Sequence, residues 1–525
     1  MQEYSRTKNS ILNFATGIGG EFLATALRFV TRTVFIHTLG VQYLGIGSLF
    51  VNILAMLSLT ELGIDTALNY KLYKPLAERN DKRVRVLLKF YRQAYQVIGS
   101  IILLLGLCLI PVLPYLIKDF DSLSALNINA GMIFVLYLLQ SVSSYLFFAY
   151  RSVVMRANQK KYVLEVAEYA VMLVGNLTQI LILILTHNYV LYTSAYVGYY
   201  VMRNYVDARI AQHYYPQFFI PEKESLKREE VWDMLKDCGA LFLYKLNNVV
   251  VKATDNLVLS AFIGLASVGL YSNYLLLFTT INRFFDKMHA AIVASSGNLF
   301  AVSDIPPKYR FFLNMNFMTV LLYGTAASGV AVCADELITV WIGRDYLITP
   351  YFAVLVGIEL LFCGMVSGLE QIRQVSGVFR QLWFRPLLSI LTNLGVSIWL
   401  VKSLGIHGII LGTITSAVFV GFLVDPFVVY KYSFENYRPV SEYYKKNLFY
   451  LGILSAVTAF DIWLCSRLLS GVGWFSLILH ALVVVLTVPG ALILICWRSP
   501  ECQYLVKLSL SIVRKIYRKN QVHAR

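Results

Sequence analysis

Charged residues are scarce in this chain. Only 14% of its 525 residues are Asp, Glu, Lys or Arg, whereas a soluble domain carries about a quarter. A soluble chain of this length would divide into several domains with polar surfaces, and a chain that is 58% hydrophobic does not provide them. Walker A, HExxH and CxxC motifs are also missing. These absences exclude soluble enzymes, disordered proteins and secreted disulfide-linked domains, and predict a non-enzymatic protein without metal or other cofactors.

The chain has instead a series of long apolar runs. A membrane-spanning helix needs about 20 residues. About fourteen runs reach this length, at residues 11–37, 44–70, 95–117, 128–150, 162–186, 190–210, 237–262, 267–299, 310–333, 351–372, 382–402, 406–430, 447–467 and 474–497. We therefore predict an all-α polytopic membrane protein with about fourteen transmembrane helices, an even number that places both termini on one side.

Lysine and arginine are distributed unequally between the two sets of loops. The loops on one side hold Lys71, Lys74, Arg79, Lys82, Arg83, Arg85, Lys89, Arg92, Arg151, Arg156, Lys160, Lys161, Lys223, Lys227, Arg228, Lys431, Arg438, Lys445 and Lys446. The loops on the other side hold only Lys118, Arg344, Lys402 and Arg467. Because cytoplasmic loops carry the excess of Lys and Arg, we predict cytoplasmic termini. The cytoplasmic Lys and Arg residues then account for the net charge of +16, and no nucleic-acid partner is predicted.

The longest polar segment inside the chain, residues 211–236, separates six predicted spans from eight. It predicts a linker between two lobes of a transporter. The predicted parts are an N-terminal lobe of about six transmembrane helices (1–210), a cytoplasmic linker (211–236), a C-terminal lobe of about six (237–430), two additional transmembrane helices (431–497) and a basic amphipathic cytoplasmic tail (498–525).

The two lobes show a weak internal repeat. At an offset of 224 residues, Gly40 and Gly45 align with Gly264 and Gly269. Ser48 aligns with Ser272 and Arg28 with Lys252 at the same offset. In both copies a long span ends at a glycine, which accepts a positive φ, and the next span begins at once. The pattern predicts two repeat-related lobes around a central cavity.

We single out six cations inside predicted spans, where a charge costs about 2.5–3.5 kcal/mol. They form pairs on single helix faces: Arg28 and Arg32, Lys245 and Lys252, Arg283 and Lys287. The acidic residues Glu21 and Asp255 continue two of these stripes and are candidates for ion pairing or gating. Such faces are expected to line a water-filled cavity that binds an anionic substrate, for which phosphate and pyrophosphate are well suited.

Structural explanations stay open for several of these residues. Lys245, Arg283 and Lys287 are placed where long cationic side chains reach the membrane surface, and pairing with Asp286 is a further explanation for Arg283 and Lys287. Glu61 and Asp65 are four residues apart near the inner end of the second span. They are candidates for gating through ion pairs with the cavity cations, or for capping against nearby lysines.

Two stretches resemble Wzx-type bacterial polysaccharide flippases, which are grouped with MATE exporters and the peptidoglycan lipid flippase in the MOP superfamily. They are HTLGVQYLGIGSLFVNILAMLSLTELGIDTALNYKLYKPLAER at the first two spans and KATDNLVLSAFIGLASVGLYSNY at the seventh and eighth. The resemblance implies a MATE-like fold that moves an undecaprenyl-pyrophosphate-linked oligosaccharide from the inner to the outer leaflet by alternating access. By motif position it implies that Arg28, Arg32, Lys252 and Asp255 lie in a cationic cavity.

The resemblance also implies a location in the bacterial plasma membrane, with the lipid-linked glycan and membrane lipids as partners. Whether a polysaccharide polymerase and assembly proteins are further partners stays open. Two alternatives stay open. A multidrug exporter of the same fold would need carboxylates in its cavity. A membrane glycan polymerase or transferase would need a large external loop, for which residues 334–350 are the longest candidate.

Overall fold

The computed structural model describes residues 2–58, 64–118, 120, 129–146, 148–348, 351–378, 381, 384–467, 469 and 471–523. Within these ranges, the description of side chains excludes residues 2–11, 13–15, 18, 64–70, 149, 233, 235–248, 252, 290–298, 301, 302 and 512–523. The predictions that fall on Glu61, and on the side chains of Asp65, Lys245 and Lys252, therefore lie outside the described residues.

The described part of the chain is mostly helical. Its helices are α1 (Gln2–Leu39), α2 (Val41–Leu57), α3 (Ile64–Ala77), α4 (Asp81–Leu116), α5 (Ala130–Leu146), α6 (Val153–Ala157), α7 (Lys161–Thr186), α8 (Tyr189–Tyr214), α9 (Arg228–Phe262), α10 (Leu265–Val302), α11 (Ile305–Trp341), α12 (Phe352–Ser376), α13 (Arg385–Leu404), α14 (Ile406–Ser433), α15 (Ser441–Arg467), α16 (Trp474–Ile495) and α17 (Pro500–His523). No strand occurs in the part of the chain that is described. The prediction of an all-α fold is confirmed.

Each predicted span overlaps one or more of these helices. Among the described residues, eight helices are long and apolar enough to cross a membrane, namely α4, α7 and α11 to α16, and the bent pair Ala130–Leu146 and Tyr150–Ala157 is a further candidate. The chain is therefore a multi-pass membrane protein, and the number fourteen stays a prediction. The predicted second span corresponds to two helices, α2 and α3, and α9 begins at Arg228, inside the predicted linker.

The chain forms two compact units, unit 1 (residues 1–272) and unit 2 (residues 273–525), with the boundary inside α10. Unit 1 ends after the predicted linker because α9 packs against α2 and α3. Its core includes Phe50 and Ile46 on α2 and Phe134 on α5, all fully buried. In unit 2 a core of aromatic residues joins α11, α14 and α15. The lobe boundaries that the sequence predicts stay a prediction.

The glycines of the predicted repeat have matching conformations. Gly40 ends α1 with a φ of 94°, and Gly264 lies between α9 and α10 with a φ of 127°. Five residues further along, Gly45 and Gly269 lie at a close crossing of α2 and α10: a Cβ added to Gly45 would lie 2.0 Å from the carbonyl oxygen of Leu265. A Cβ added to Gly269 would lie 2.2 Å from the equivalent oxygen at position 41. The aligned glycines thus make reciprocal contacts.

Ion pairs attach the first turns of α4 to the polar segment before α9 and to the first turn of α9, an arrangement we name the linker clasp. The pairs are Arg83–Glu230, Arg85–Glu222 (3.1 Å) and Lys82–Glu224 (2.7 Å). Nζ of Lys89 also donates to the carbonyl oxygen of Lys223 at 2.9 Å. Two of the loops that are rich in Lys and Arg therefore meet at the same end of unit 1.

Replacing Glu222, Glu224 and Glu230 together with glutamine is expected to release the linker clasp. The pKa values of Glu222 and Glu230 lie below their ordinary value of 4.5 because Arg85 and Arg83 donate hydrogen bonds to them. Because the pKa of each carboxyl group is lower in the folded state than in the unfolded state, these ion pairs stabilise the fold fully at pH values above the ordinary pKa. This stabilisation is lost only as the pH falls further, through the lowered pKa values.

Tryptic cleavage after Lys223 and Lys227 measures this release at neutral pH. We expect the triple glutamine variant to be cleaved several-fold faster than the wild type, and wild-type cleavage to accelerate in high salt, which screens exposed charge pairs. Glu229→Gln is the matched control, since Glu229 is exposed and outside the linker clasp. Equal cleavage of the wild type and the triple variant would contradict the prediction.

Candidate substrate-binding site

Helices α1, α7 and α8 of unit 1 share a surface of charged, amide and tyrosine side chains. Two hydrogen bonds connect α1 with α7: Oγ1 of Thr16 donates to Oε2 of Glu165, and Oγ1 of Thr31 donates to Oδ1 of Asn176, both at 2.8 Å. We name this surface the polar face. Its residues are Thr16, Glu21, Arg28, Thr31, Arg32, Glu165, Glu168, Tyr169, Asn176, Tyr192, Tyr196, Tyr199, Tyr200, Arg203 and Asp207.

Arg28 and Glu21 form an ion pair on α1. Nη2 of Arg28 lies 2.5 Å from Oε1 of Glu21, and it also donates to Oγ1 of Thr25 at 3.0 Å. Both side chains are partly exposed. The pair reduces the cost of placing a cation inside a span, and the guanidinium group remains partly accessible to an incoming anion.

Arg32 lies one turn further along α1 and contacts the start of α10. Its Nη2 donates a hydrogen bond to Oγ of Ser272, which in turn donates to the carbonyl oxygen of Gly269 at 2.6 Å. Tyr192 on α8 is near enough to interact electrostatically with this guanidinium group. The glycine crossing of the repeat and the cation on α1 are thereby connected through one serine.

Three carboxylates and one further arginine of the polar face were not selected from the sequence. Nη2 of Arg203 lies 2.7 Å from Oε1 of Glu168, and Glu165 contacts Nζ of Lys161 at 2.9 Å. Asp207 is buried, and its Oδ1 has no hydrogen-bond partner among the described residues. Glu165, Glu168, Arg203 and Asp207 lie within the predicted spans 162–186 and 190–210, and a charge inside an apolar run is the sequence signal that marks them.

The remaining candidates lie elsewhere. Asp255 is buried on α9 in unit 1, whereas Arg283 and Lys287 lie on α10 in unit 2, where Arg283 is exposed and Lys287 is half-buried. The structure brings Glu21 and Arg28 together, with Arg32 one turn away. The convergence of all six cations in one cavity stays a prediction.

Unit 2 contains an apolar cavity of about 520 Å³ between α10, α11 and α16. Aliphatic and aromatic side chains such as Leu277, Phe285 and Val484 line it, and Pro489, which lies inside α16, is at its edge. Such a lining suits a hydrocarbon chain rather than a polar ligand. In the described part of the chain, no three His, Cys, Asp or Glu side chains come together as metal ligands.

Three solved structures share this arrangement of helices. The lipid II flippase MurJ in an inward closed conformation matches with a TM-score of 0.62 and 14% identity, over 93% of this chain and 99% of that chain. An inward-facing multidrug resistance MATE transporter of the MOP superfamily matches with a TM-score of 0.57 and 13% identity, over 81% and 99%. The chain has a MATE-like fold.

The eukaryotic MATE transporter AtDTX14 also matches, with a TM-score of 0.52 and 12% identity, over 84% of this chain and 99% of that chain. Neither a protein-family sequence model nor a curated protein sequence matches the chain. These structural neighbours are a flippase and transporters rather than enzymes, which agrees with the prediction of a non-enzymatic protein. At such identities the likeness establishes the fold alone.

Proposed function

We propose that this protein is a flippase that moves a polyprenyl-pyrophosphate-linked oligosaccharide from the inner to the outer leaflet by alternating access. The single observation that carries the proposal is the pair of partly buried arginines on α1, Arg28 and Arg32, within a fold shared with a lipid II flippase. The Wzx-type resemblance of the first, second, seventh and eighth spans supports the same substrate class.

The polar face supplies the chemistry for a pyrophosphate group. Arg28 and Arg32 offer guanidinium groups, which bind phosphate oxygens in pairs, and Lys252 is the predicted third cation. Lys245, Arg283 and Lys287 are proposed to guide the anion, and Glu21, Glu61, Asp65 and Asp255 to pair with these cations as the protein changes state. An anion leaving a negative interior gains about 2.3 kcal/mol per charge per 100 mV, so the membrane potential supplies the energy without ATP.

The apolar cavity of unit 2 supports a lipid-linked cargo. A polyprenyl chain is a flexible hydrocarbon, and a cavity of about 520 Å³ lined by aliphatic side chains accommodates part of it. The proposed location is the bacterial plasma membrane with both termini in the cytoplasm. A polysaccharide polymerase and assembly proteins are the proposed partners.

Export of organic cations is a second candidate function. Carboxylates are what such a substrate requires, and unit 1 holds Glu165, Glu168 and Asp207 on the polar face in addition to Glu21. The likeness to a multidrug resistance MATE transporter points the same way. A glycan polymerase or transferase is less well supported, because α11 continues to Trp341 and takes up half of the proposed external loop 334–350.

Leaflet accessibility of a labelled undecaprenyl-pyrophosphate oligosaccharide in liposomes tests the proposal. We expect the wild type to move the lipid, and Arg32→Ala and Lys252→Ala to slow the movement about tenfold or more, since a lost hydrogen bond to a charged group costs about 1.5–3 kcal/mol. Arg209→Ala, an exposed arginine of α8, is the matched control.

The other outcomes separate the alternatives. Movement that survives both substitutions would support the flippase and contradict the arginine and lysine site. No movement with any lipid-linked glycan, together with uptake or efflux of ethidium, would support the cation exporter. Transport that is insensitive to collapse of both the membrane potential and ion gradients would contradict the proposed energy source.

A further inference from the structure

We propose that Tyr192, Tyr196, Tyr199 and Tyr200 of α8 bind the sugar rings of the substrate, and we name these four residues the tyrosine platform. The inference rests on the proposed function and specifies which part of unit 1 recognises the glycan. No sequence motif selects these residues, since tyrosines near span ends are ordinary in membrane proteins.

The tyrosine platform occupies one face of α8. Its four side chains are half-buried, whereas Leu191, Met202 and Tyr205 on another face of the helix are exposed. Residues spaced three and four apart share a face of an α-helix. The tyrosine platform is therefore neither the fully buried core of unit 1 nor its most exposed surface.

The rings of the tyrosine platform support one another. The ring of Tyr196 lies 6.3 Å from that of Tyr199 at an interplanar angle of 23°, and 5.0 Å from that of Tyr200 at 79°. The hydroxyl groups of Tyr196 and Tyr200 are 3.3 Å apart. Tyr192 packs edge-on against Phe35 of α1, with ring centroids 5.1 Å apart. These contacts fix the ring orientations before a ligand arrives, which lowers the entropic cost of binding.

A purely structural pair of tyrosines in the same unit provides a contrast. Tyr137 and Tyr189 are buried, with their hydroxyl groups 3.2 Å apart. They satisfy each other inside the core, as buried hydroxyl groups must. The residues of the tyrosine platform keep accessible surface in addition to their mutual contacts, so their rings can meet a ligand.

Sugar rings match this surface chemically. A pyranose presents apolar C–H faces, which pack on aromatic rings, and a rim of hydroxyl groups, which hydrogen-bond to carboxylates, amides and tyrosine hydroxyls. The polar face supplies these acceptors and donors through Glu168, Asn176 and Arg203 around the tyrosine platform. An organic cation would bind to the carboxylates and the aromatic rings, but it would not need the amide of Asn176.

The position of the tyrosine platform suits a glycan attached to a phosphate. Tyr192 interacts electrostatically with Arg32, the proposed pyrophosphate ligand. From Tyr192 to Tyr200 the α8 axis rises about 12 Å, the length of a short oligosaccharide. A pyrophosphate on Arg32 therefore places its first sugars against the tyrosine platform.

Binding of defined lipids to the purified full chain in nanodiscs, measured by native mass spectrometry, tests the inference. The probes are undecaprenyl pyrophosphate alone and the same lipid carrying one, two or three hexose or N-acetylhexosamine units. For the wild type we expect the glycosylated lipids to bind about tenfold more tightly than the bare lipid, as stacking on one or two aromatic rings provides.

The double variant Tyr196→Ala/Tyr200→Ala is expected to lose this preference and to keep the affinity for the bare lipid. Tyr196→Phe, which retains the ring, is expected to keep most of the preference. Tyr205→Ala on another face of α8 is the matched control. Thermal melting in detergent establishes that each variant is folded.

Two results would overturn the tyrosine platform while leaving the proposed function intact: equal binding of bare and glycosylated lipids by the wild type, or a preference that survives the double alanine variant. Failure of the wild type to bind any polyprenyl pyrophosphate would overturn the proposed function and the tyrosine platform with it.

Discussion

Replacing Asp425 with leucine is expected to destabilise unit 2 by about 3–5 kcal/mol, the cost of leaving a buried charge without its partner. Asp425 is fully buried inside α14 and contacts two arginines. Nε of Arg385 lies 2.8 Å from Oδ1 of Asp425, and Nη1 of Arg373 lies 3.2 Å from the same atom. Without the carboxylate, two like charges would face each other in a medium of low dielectric constant.

The free energy of unfolding, measured by SDS titration and circular dichroism, checks this expectation. Arg438→Ala removes an exposed ion pair in the same unit and is expected to change stability by less than about 1 kcal/mol. A triple variant, Arg373→Met/Asp425→Leu/Arg385→Leu, removes all three charges and is expected to regain much of the loss, because apolar replacements of a buried ion cluster are often tolerated. Wild-type stability of Asp425→Leu alone would contradict the prediction.

Alanine at Gly45 or Gly269 is expected to destabilise unit 1 by about 3 kcal/mol, at the upper end of the usual range for overpacking. The added Cβ would lie 2.0 or 2.2 Å from a carbonyl oxygen of the facing helix, and a backbone atom cannot move aside as a flexible side chain can. Helices α2 and α10 would have to separate at their crossing.

The double variant Gly45→Ala/Gly269→Ala should cost less than the sum of the two single variants. Both substitutions act on one crossing, so the first already separates the helices that the second would push apart. Gly198→Ala on α8 is the matched control, since a Cβ there meets no atom within 4 Å and alanine favours the helix. Thermal melting in detergent measures these changes. A purely additive double variant, or single variants as stable as the control, would contradict the shared crossing.

The helices and the glycines of the repeat could be predicted from local sequence. An apolar run of about 20 residues determines where a helix spans a membrane, and each predicted span overlaps a helix of the structure. Gly40 and Gly264 were selected by their spacing, and both adopt a positive φ. The end of α2 at Leu57 was not anticipated, because the run 44–70 is apolar over most of its length.

Only part of the candidate site could be predicted from local sequence. Glu21 and Arg28 are seven residues apart on one helix, so their ion pair follows from helical periodicity. The contact of Thr16 with Glu165 joins residues 149 apart, and that of Arg32 with Ser272 joins residues 240 apart. No periodic pattern within one helix specifies such partners.

The sequence by itself determined that this protein is a multi-pass helical membrane protein with a glycine-based repeat, because helix formation and membrane insertion depend on short stretches of chain. The tertiary structure decided which polar groups meet: Glu168 with Arg203, Asp425 with two arginines, and Tyr192 with Arg32. The physical reason is that packing of distant helices, rather than spacing along one helix, sets the distance between these groups and so the strength of their interaction.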